Sequence, residues 1–399
     1  MKRQSGAQHG AIILVVFCIY LDDRFAHIDP PLRVGFLHCR IIILVHHDHV
    51  GSVMASRKKK KSRKGLLLAG DIGATNTRVA LFDPKGNLRK PARIKTYAGA
   101  DYPGLVEVLR DYLKGVDKPV VAACFGAAGP VVEGRVKLTN INWIVDSKEL
   151  CKEFDLQDAW LINDLKAIAN AVPLLKPQEV KVLNKGIPEK HGTIAVIAPG
   201  TGLGIGFLTW AAGRYHAYAT EGGHSDFAPV NALQDELLSF LRCKFQQVAV
   251  EHVGAGVGIP NIYEFLKMSG RSQEPDWLAA ELSSSADPTR VIVDNAIAAK
   301  PGSEICHQTL EIFITVLAGE AGSLALQLGA TGGVYIGGGI PPRILPAFDQ
   351  YHFIKTFLLK IGYESYLERF PIKIILHPEP GLLGAADYGV QQLLNPEGV

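Results

Sequence analysis

Cysteine is scarce in this chain of 399 residues, and the six cysteines follow no regular pattern. They lie far apart, at Cys18, Cys39, Cys124, Cys151, Cys243 and Cys306. Because no Cys-x-x-Cys pair is present, the spacing argues against a zinc site and against a disulfide framework. Such cysteine usage is typical of a protein that works in a reducing cytosol.

Uninterrupted hydrophobic runs of membrane-spanning length are missing near the N-terminus. The two apolar runs there, Ala11 to Leu21 and Ile41 to Val45, fall short of the roughly 20 apolar residues that a spanning helix needs. Lys2 and Arg3 precede the first run as in a signal peptide, but charged residues follow it instead of a small-residue cleavage site. We therefore expect no membrane association and a cytoplasmic location.

Most of the chain, from residue 65 onward, has no excess of positive charge. Residues 1–64 carry 12 Lys and Arg against 4 Asp and Glu, whereas residues 65–399 carry 30 against 35. The basic character of the whole sequence therefore belongs to its first part. Since no domain-wide basic face is indicated, we expect no nucleic-acid partner.

The first 53 residues differ in composition from the rest, because they hold six of the thirteen histidines and irregular apolar runs. A more ordinary start follows at Met54, with a basic cluster between Arg57 and Lys64. We interpret residues 1–53 as the product of an over-extended start codon, with a targeting or disordered extension as the alternative. Residues 1–63 are expected to be a disordered or artefactual extension of the folded body.

From residue 65 onward, short apolar segments alternate with amphipathic helical stretches. Strands are predicted at Leu66 to Ala69, Arg78 to Phe82, Val120 to Cys124, Ala159 to Ile162, Ile194 to Ile197, Gly204 to Thr209 and Gly333 to Ile336. Helices are predicted at Leu105 to Leu113 and Ile312 to Leu328. The alternation predicts an α/β fold, and the length suits two or three domains.

Two segments of this body look alike, Leu67 to Asp83 and Ala195 to Trp210. Each contains a strand, a turn rich in Gly and Thr, and a second strand, as a duplicated domain would present two phosphate-binding hairpins to one cleft. Neither turn is a Walker A motif or a dinucleotide fingerprint, because the required residue spacings are absent. We name the turns loop one (Asp71 to Thr77) and loop two (Pro199 to Gly204).

Loop one carries groups suited to phosphate and to a magnesium ion. Gly73 lets the backbone approach an anion, main-chain N–H groups and the Thr75 hydroxyl can donate to phosphate oxygens, and Asp71 can hold Mg²⁺ through water. Loop two repeats this chemistry without the carboxylate. Alone, loop one could equally be a hairpin turn with an exposed Asp, but the pair of strand-flanked loops favours phosphate binding.

A third glycine-rich segment, Gly332 to Ile340, consists of a strand that ends in consecutive glycines. Glycines without side chains would let a flat base and ribose lie against the backbone. A tight turn from strand to helix is the alternative.

These three segments, in this order, resemble the phosphate-one, phosphate-two and adenosine motifs of the sugar kinase, actin and chaperone ATPase superfamily. Within it the chain resembles the bacterial glucokinase family from about Leu66 to about Leu394. The diagnostic segments are LTNINW (Leu138 to Trp143), INDLKAIANAVP (Ile162 to Pro173), TEGGHSDFAP (Thr220 to Pro229), EHVGAGVGI (Glu251 to Ile259) and HPEPGLLGAA (His377 to Ala386). Ala74 and Pro199 stand where this family often has glycine.

The resemblance implies an actin-like, ribonuclease H-like fold with a duplicated core and a cleft between two domains. The implied organisation is a small α/β domain at residues 64–174, a large α/β domain at 175–376, and a C-terminal helix at 377–399 that returns to the small domain. It also implies ATP with Mg²⁺ as donor, glucose as acceptor of a phosphoryl group at its 6-hydroxyl, and a homodimer.

The resemblance further assigns roles to individual residues. It implies Asp164 as catalytic base and Asp71 as the metal-binding residue. The substrate-binding set is Asn140, Asn163, Asp164, Glu221, His224 and Glu251. The cofactor-binding set is Asp71, Gly73, Ala74, Thr75, Asn76, Gly200, Thr201, Gly202, Gly337, Gly338 and Gly339.

Without the resemblance, plainer interpretations stand beside these roles. Asn163 and Asp164 could simply cap a helix, and Glu251 could lie on a solvated helix face. Glu221 and His224 have the spacing of a metal pair, but the two glycines between them disfavour the helix that such a pair needs.

Two other classes of protein remain as alternatives. The related repressor/kinase (ROK) group shares the fold, but its cysteine-rich zinc signature is absent from Ser225 to Arg242. A sugar sensor without catalytic activity is the other, and the intact Asp71, Asp164 and phosphate loops argue against it.

Overall fold

The computed structural model describes residues 64–73, 75–139 and 141–394. The N-terminal extension, Ala74 and Asn140 lie outside the described residues. Within the described part of the chain the strands are β1 Leu66–Ile72, β2 Asn76–Phe82, β3 Arg93–Ala98, β4 Val120–Ala127, β5 Arg135–Lys137, β6 Ile144–Asp146, β7 Asp158–Asn163, β8 Val180–Asn184, β9 Ile194–Pro199, β10 Leu203–Ala211, β11 Arg214–Thr220, β12 Gly333–Ile336 and β13 Ile372–Ile375.

The helices differ widely in length, and short 3₁₀ turns such as Gly222–His224 connect some of them. They are α1 Leu105–Tyr112, α2 Ser147–Glu153, α3 Asp164–Ala171, α4 Ala232–Arg242, α5 Glu251–Gly254, α6 Gly258–Met268, α7 Asp276–Ser284, α8 Pro288–Ala298, α9 Glu304–Leu328, α10 Ile340–Ile344, α11 Gln350–Phe357, α12 Glu364–Leu367 and α13 Pro380–Leu394. All seven predicted strands and both predicted helices are confirmed, most of them with longer bounds.

Two mixed sheets organise these elements. The first has the order β3-β2-β1-β4-β7, and the second has the order β11-β10-β9-β12-β13-β8. In the first sheet β1 is antiparallel to β2 and parallel to β4, and β4 is parallel to β7. In the second sheet β9 is antiparallel to β10 and parallel to β12, which is parallel to β13. The α/β class predicted from the sequence is therefore confirmed.

The first sheet is covered on both faces, as expected for a sheet built around parallel strands. Alternate residues of β1 point in opposite directions, so Leu68 packs with α1 residues such as Leu109, whereas Leu67 packs with α13 residues such as Leu382. All of these side chains are buried. Strand β1 thus contributes apolar side chains to two separate core layers, one on each face of the sheet.

Helix α3 lies between the two sheets. Its residue Ala167 approaches Gly126 of β4 so closely that a Cβ on that glycine would lie 2.9 Å from the Ala167 Cβ. On its other side, Leu165 packs against Gly204 and Gly206 of β10. Small residues on both sheets therefore let α3, and the polar residues at its start, lie between them.

Helix α9 is the long apolar helix of the second layer. Among the described residues it is the one helix long and apolar enough to cross a membrane, and 72% of its most apolar window is buried inside the protein. Its side chains, including Phe313 and Leu317, belong to the largest apolar core together with Val334 and Ile336 of β12. This burial is that of a core helix.

Candidate active site

Two acidic residues come together where parallel strands of the first sheet end. Asp71 of β1 pairs with Gly126 of β4, and the next residue of β4 pairs with Asn163 at the end of β7. A Cβ placed on Gly126 would lie 3.9 Å from Asp71 Oδ1 and 3.8 Å from Asp164 Cα. The carboxyl ends of parallel strands are a usual place for binding sites in α/β sheets, and here they bring Asp71 and Asp164 together.

Asp164 is the first residue of α3 and is largely withdrawn from water. Its Oδ1 accepts a hydrogen bond of 2.8 Å from the Leu165 N–H. Burial raises the pKa of Asp164 above its usual range, the Leu165 N–H opposes that rise, and the nearby charge of Glu221 adds to it. A carboxylate with a raised pKa is a stronger base than an ordinary aspartate.

Asn163 forms the helix cap that its sequence position suggests. Its Oδ1 accepts hydrogen bonds from the N–H groups of Leu165 at 2.9 Å and Lys166 at 3.2 Å. Its Nδ2 donates to the Gly129 carbonyl at 3.4 Å. The amide nitrogen carries two hydrogens, so the cap leaves capacity for one further donation toward a ligand.

Asp71 is partly buried and lies among charged groups of both signs. Burial raises its pKa to about 6, the charge of Asp164 adds to the rise, and the Arg78 guanidinium opposes it. Arg78 also pairs with Glu379 at 3.4 Å. On the C-terminal side, a Cβ on Gly381 of α13 would lie 2.7 Å from Asp71 Oδ2. The carboxylate is thus enclosed between β1 and α13.

Loop one is a tight hairpin between β1 and β2. The Gly73 N–H donates to the Asn76 carbonyl at 3.0 Å, and the Thr75 carbonyl accepts from the Gly99 N–H at 2.9 Å. Thr75 and Asn76 are exposed. The N–H of Gly73 is therefore engaged in closing the turn, and the exposed edge of the loop is formed by Thr75 and Asn76.

Loop two is fastened to the segment that follows α5. The Gly200 N–H closes the turn onto the Gly202 carbonyl at 2.9 Å. The Gly200 carbonyl accepts from Gly256 at 2.8 Å, and the Thr201 carbonyl accepts from Val257 at 3.2 Å. This loop therefore belongs to a network larger than the hairpin that the sequence suggested.

The third glycine cluster lies against the start of loop two. The Gly337 N–H donates to the Ile197 carbonyl at 2.8 Å. Gly338 has φ +81° and lies so close to the Pro199 carbonyl that no side chain would fit. Gly339 precedes α10 and has no atom within 4 Å of its Cβ position. The alternative of a turn from strand to helix is present, and Gly339 in it is uncovered.

Three of the predicted sugar-binding residues, Glu221, His224 and Glu251, lie near the start of β10. Glu221 follows β11 and acts electrostatically on Asp164. His224 ends the short 3₁₀ turn, and its Nδ1 lies 3.9 Å from Glu251 Oε1. The other oxygen of Glu251 accepts from the Leu203 N–H at 2.8 Å. Glu251 is 22% exposed, so the alternative of a solvated helix face is wrong.

Several neighbours of the site were not predicted from sequence. Gly126 lies in no named motif, whereas Gly381 belongs to the HPEPGLLGAA segment and Leu203 to loop two. None of the three was assigned to the site, because their proximity to the acidic residues becomes visible only in the folded chain. Among the described residues, no group of three or more His, Cys, Asp and Glu side chains could hold a metal ion. A cation at Asp71 would therefore need ligands from water and phosphate in addition to the protein.

Comparison with known proteins identifies the family of the chain. A family model described as Glucokinase matches residues 68–392. The glucokinase of Nostoc punctiforme is 38% identical over 335 residues, covering 80% of this chain and 98% of that protein. The glucokinase of Psychromonas ingrahamii is 35% identical over 331 residues, covering 83% and 98%.

Solved structures show the same relationship. The glucokinase of an Antarctic psychrotroph has a TM-score of 0.69 and 32% identity, covering 81% of this chain and 98% of that one. A ROK family glucokinase from Streptomyces griseus, solved in complex with glucose and AMPPNP, shares the fold with a TM-score of 0.55 and 20% identity, covering 82% and 100%. The neighbours are sugar kinases with an actin-like ATPase fold, and the chain belongs to the glucokinase family.

Proposed function

We propose that the protein transfers the terminal phosphoryl group of ATP to the 6-hydroxyl of glucose, giving glucose 6-phosphate and ADP. The observation that carries this proposal is the partly buried Asp164 at the start of α3, with its raised pKa and with Asn163 and Glu221 beside it. The names of the matched relatives support glucose as acceptor. The AMPPNP bound to the S. griseus enzyme supports ATP as donor.

Asp164 would accept the proton of the attacking hydroxyl. Phosphoryl transfer demands mainly positioning and charge stabilisation from the protein, plus a group that orients and deprotonates the nucleophile. The raised pKa of Asp164 suits this role, because a base works best when its pKa approaches the working pH. Burial also limits competition from water for the same carboxylate.

Five side chains would hold the sugar in front of Asp164. Asn163 can donate its remaining amide hydrogen, Glu221 and Glu251 can accept from hydroxyl groups, and His224 can do either. Asn140 belongs to this set by resemblance and lies outside the described residues. Recognition of several hydroxyls by charged and polar groups makes the site selective against sugars that lack one of them.

The nucleotide would lie across the three glycine-containing segments. Loop one and loop two would face the phosphates, with Gly73, Ala74, Thr75, Asn76 and residues 200–202 as contacts, and Gly337 to Gly339 would face the adenosine. Asp71 would hold Mg²⁺ through water, and its enclosed carboxylate beside a second carboxylate fits a cation. When bound, Mg²⁺ would neutralise charge on the phosphate oxygens.

The architecture would be that of two domains joined by a cleft. The small domain would comprise residues 64–174 with the helix of 377–399, and the large domain residues 175–376. Support comes from α13, which packs on β1 and β4, and from the similar strand directions in the two sheets. By the same family relationship the enzyme would be a cytoplasmic homodimer.

The test is an ADP-release assay on the purified protein with a panel of hexoses and with ATP, GTP and polyphosphate as donors. Turnover with ATP and glucose, and a product that glucose-6-phosphate dehydrogenase oxidises, is the expected result. Glucose binding by calorimetry without any ADP release would instead identify a sugar sensor. Turnover with another hexose and none with glucose would contradict the assigned acceptor.

A further inference from the structure

A single carboxylate connects the proposed sugar site to loop two. Glu251 places Oε2 on the backbone N–H of Leu203 at 2.8 Å and Oε1 3.9 Å from the Nδ1 atom of His224. Leu203 lies within loop two, directly after Gly202. The orientation of Glu251 is therefore set by the backbone of a loop that sequence analysis assigned to phosphate alone.

Gly202 makes this contact possible because it has no side chain. A Cβ on Gly202 would lie 3.3 Å from Glu251 Cδ. It would lie closer still to Oε2, at a separation shorter than real Cβ atoms show. The φ of Gly202 is outside the left-handed region, so backbone conformation does not require glycine here. What does require it is the space taken by the Glu251 carboxylate.

A second glycine, Gly223, lies close to the Leu203 carbonyl. A Cβ on Gly223, within the turn that carries His224, would overlap the Leu203 carbonyl oxygen. The Leu203 backbone is thus contacted by Glu251 through its N–H and by the His224 turn through its carbonyl. Two other segments, α5 and the His224 turn, therefore meet at this one residue of loop two.

We propose that Gly202 is a positioning residue of the sugar site, where it leaves room for the Leu203 N–H to hold Glu251 in the orientation that binds a sugar hydroxyl. This inference rests on the proposed function, which makes Glu251 a sugar ligand. With one oxygen fixed on loop two, the other is directed toward His224 and the hydroxyls between them. Loop two then serves both substrates, since its backbone also faces the phosphates.

The test measures glucose Kd by calorimetry, without nucleotide, for the full chain carrying Gly202→Ala. The group that must move is the end of a flexible side chain, so the fold and Tm are expected to persist. If Glu251 is displaced, its charged hydrogen bond to a glucose hydroxyl is weakened, and the glucose Kd should rise by about tenfold or more. Gly200→Ala is the matched comparison, because its Cβ would have 3.9 Å to the nearest atom.

For Gly200→Ala the glucose Kd without nucleotide should stay within about twofold of the parent, while its ATP KM rises because the loop contacts phosphate. If Gly202→Ala and Gly200→Ala weakened glucose binding equally, the inference would be overturned, since that result would indicate general damage to loop two. An unchanged glucose Kd in Gly202→Ala would overturn it as well.

A double variant separates positioning from simple loss of structure. Glu251→Asp shortens the side chain and makes room for the added methyl, so Gly202→Ala should weaken glucose binding far less in that background than in the parent. Full additivity would contradict the proposed contact. If Glu251→Gln left glucose binding unchanged, the proposed sugar site itself would be wrong, which is a different failure.

Discussion

Asp71 on β1 and Asp164, directly after β7, flank Gly126 of β4 at the parallel strands of the first sheet, and the negative charge of Asp164 contributes to raising the pKa of Asp71 to about 6. Two partly buried carboxylates beside one glycine repel each other and are less well solvated than free ones. A divalent cation and a sugar hydroxyl would relieve both costs when the substrates bind. The empty site is therefore expected to be less stable than the loaded one.

Replacing Asp164 by Asn should lower kcat by at least about 100-fold, because a general base contributes roughly 10²- to 10⁴-fold to rate. The amide can still hydrogen-bond the 6-hydroxyl but cannot take its proton, so glucose Kd should change much less. Turnover by ADP release and glucose Kd by calorimetry on the same variant test this. Turnover lost only in proportion to glucose binding would show that Asp164 positions the sugar without activating it.

Replacing Glu221 by Gln should shift the acidic limb of the profile of kcat/KM against pH to lower pH. The Glu221 charge raises the pKa of Asp164, so its removal lets the base stay ionised in more acidic solution. Glucose KM should also rise by about tenfold, from the loss of a charged hydrogen bond, with little change in ATP KM. An acidic limb at its original position would place Glu221 too far from Asp164 to act on it.

Replacing Asp71 by Asn should stabilise the metal-free protein above pH 6. The pKa of Asp71 is raised from an ordinary 3.8 to about 6, so folding favours its protonated form. That contribution is present at low pH and is lost as pH rises from about 4 to about 6, amounting to about 3 kcal/mol for two pKa units.

Urea unfolding with a chelator at pH 4, 6 and 8 measures the Asp71 effect. The pKa of Asp387 is also raised to about 6 by burial, but Asp387 is present in both proteins and cancels in the difference. The prediction would be contradicted if the difference in unfolding free energy between Asp71→Asn and the parent protein did not grow with pH. With Mg²⁺ and ATP present, the Asn variant should lose turnover despite its greater stability.

Replacing Arg89 by Ala should lower the free energy of unfolding by about 1–3 kcal/mol, because it leaves a partly buried carboxylate without its partner. Arg89 donates to the Glu179 carboxylate and, at 2.5 Å, to the Leu174 carbonyl, and both side chains of the pair are 20% exposed. Lys114→Ala is the control, since Lys114 is 76% exposed in its pair with Asp111. Lys114→Ala should change the free energy of unfolding by less than about 0.5 kcal/mol. If both variants changed it equally, the Arg89–Glu179 pair would stabilise the protein no more than a surface pair does.

Glucose should make the protein more compact if the cleft closes over it. The phosphate loops come from different sheets, so closure would bring them together and exclude water from the reacting groups. Small-angle scattering with and without saturating glucose measures the radius of gyration. An unchanged radius in protein shown by calorimetry to bind glucose would count against closure.

The sequence was sufficient for seven of the strands, but not for all of their bounds, and it missed others such as the short buried β13. The predicted strand at Leu66 to Ala69 continues to Ile72, because Asp71 and Ile72 still pair with β4. Strand β11 was not predicted, since its sequence RYHAYAT has little apolar character. It forms because the tight turn at Ala212 and Gly213, both with positive φ, returns the chain beside β10.

The candidate site was predictable as a set of residues but not as a set of contacts. Motifs identified Asp71, Asp164 and Glu251, because each lies in a distinctive short segment. They could not identify the bond from the Leu203 N–H to Glu251, since its partners are 48 residues apart and meet only through the packing of α5 against β10. Gly202 accordingly was interpreted as a phosphate-binding glycine alone.

The packing of α13 on β1 has a consequence for synthesis of the chain. The apolar face of β1 and its neighbours, including Leu67 and Phe82, is covered by Leu382 and Ala386, which the ribosome adds about 300 residues later. A nascent chain that has completed only the first sheet therefore exposes this face to water, and long-range contacts of this kind form slowly. Chaperone demand during translation should accordingly fall when α13 emerges, at the same moment that Gly381 encloses Asp71.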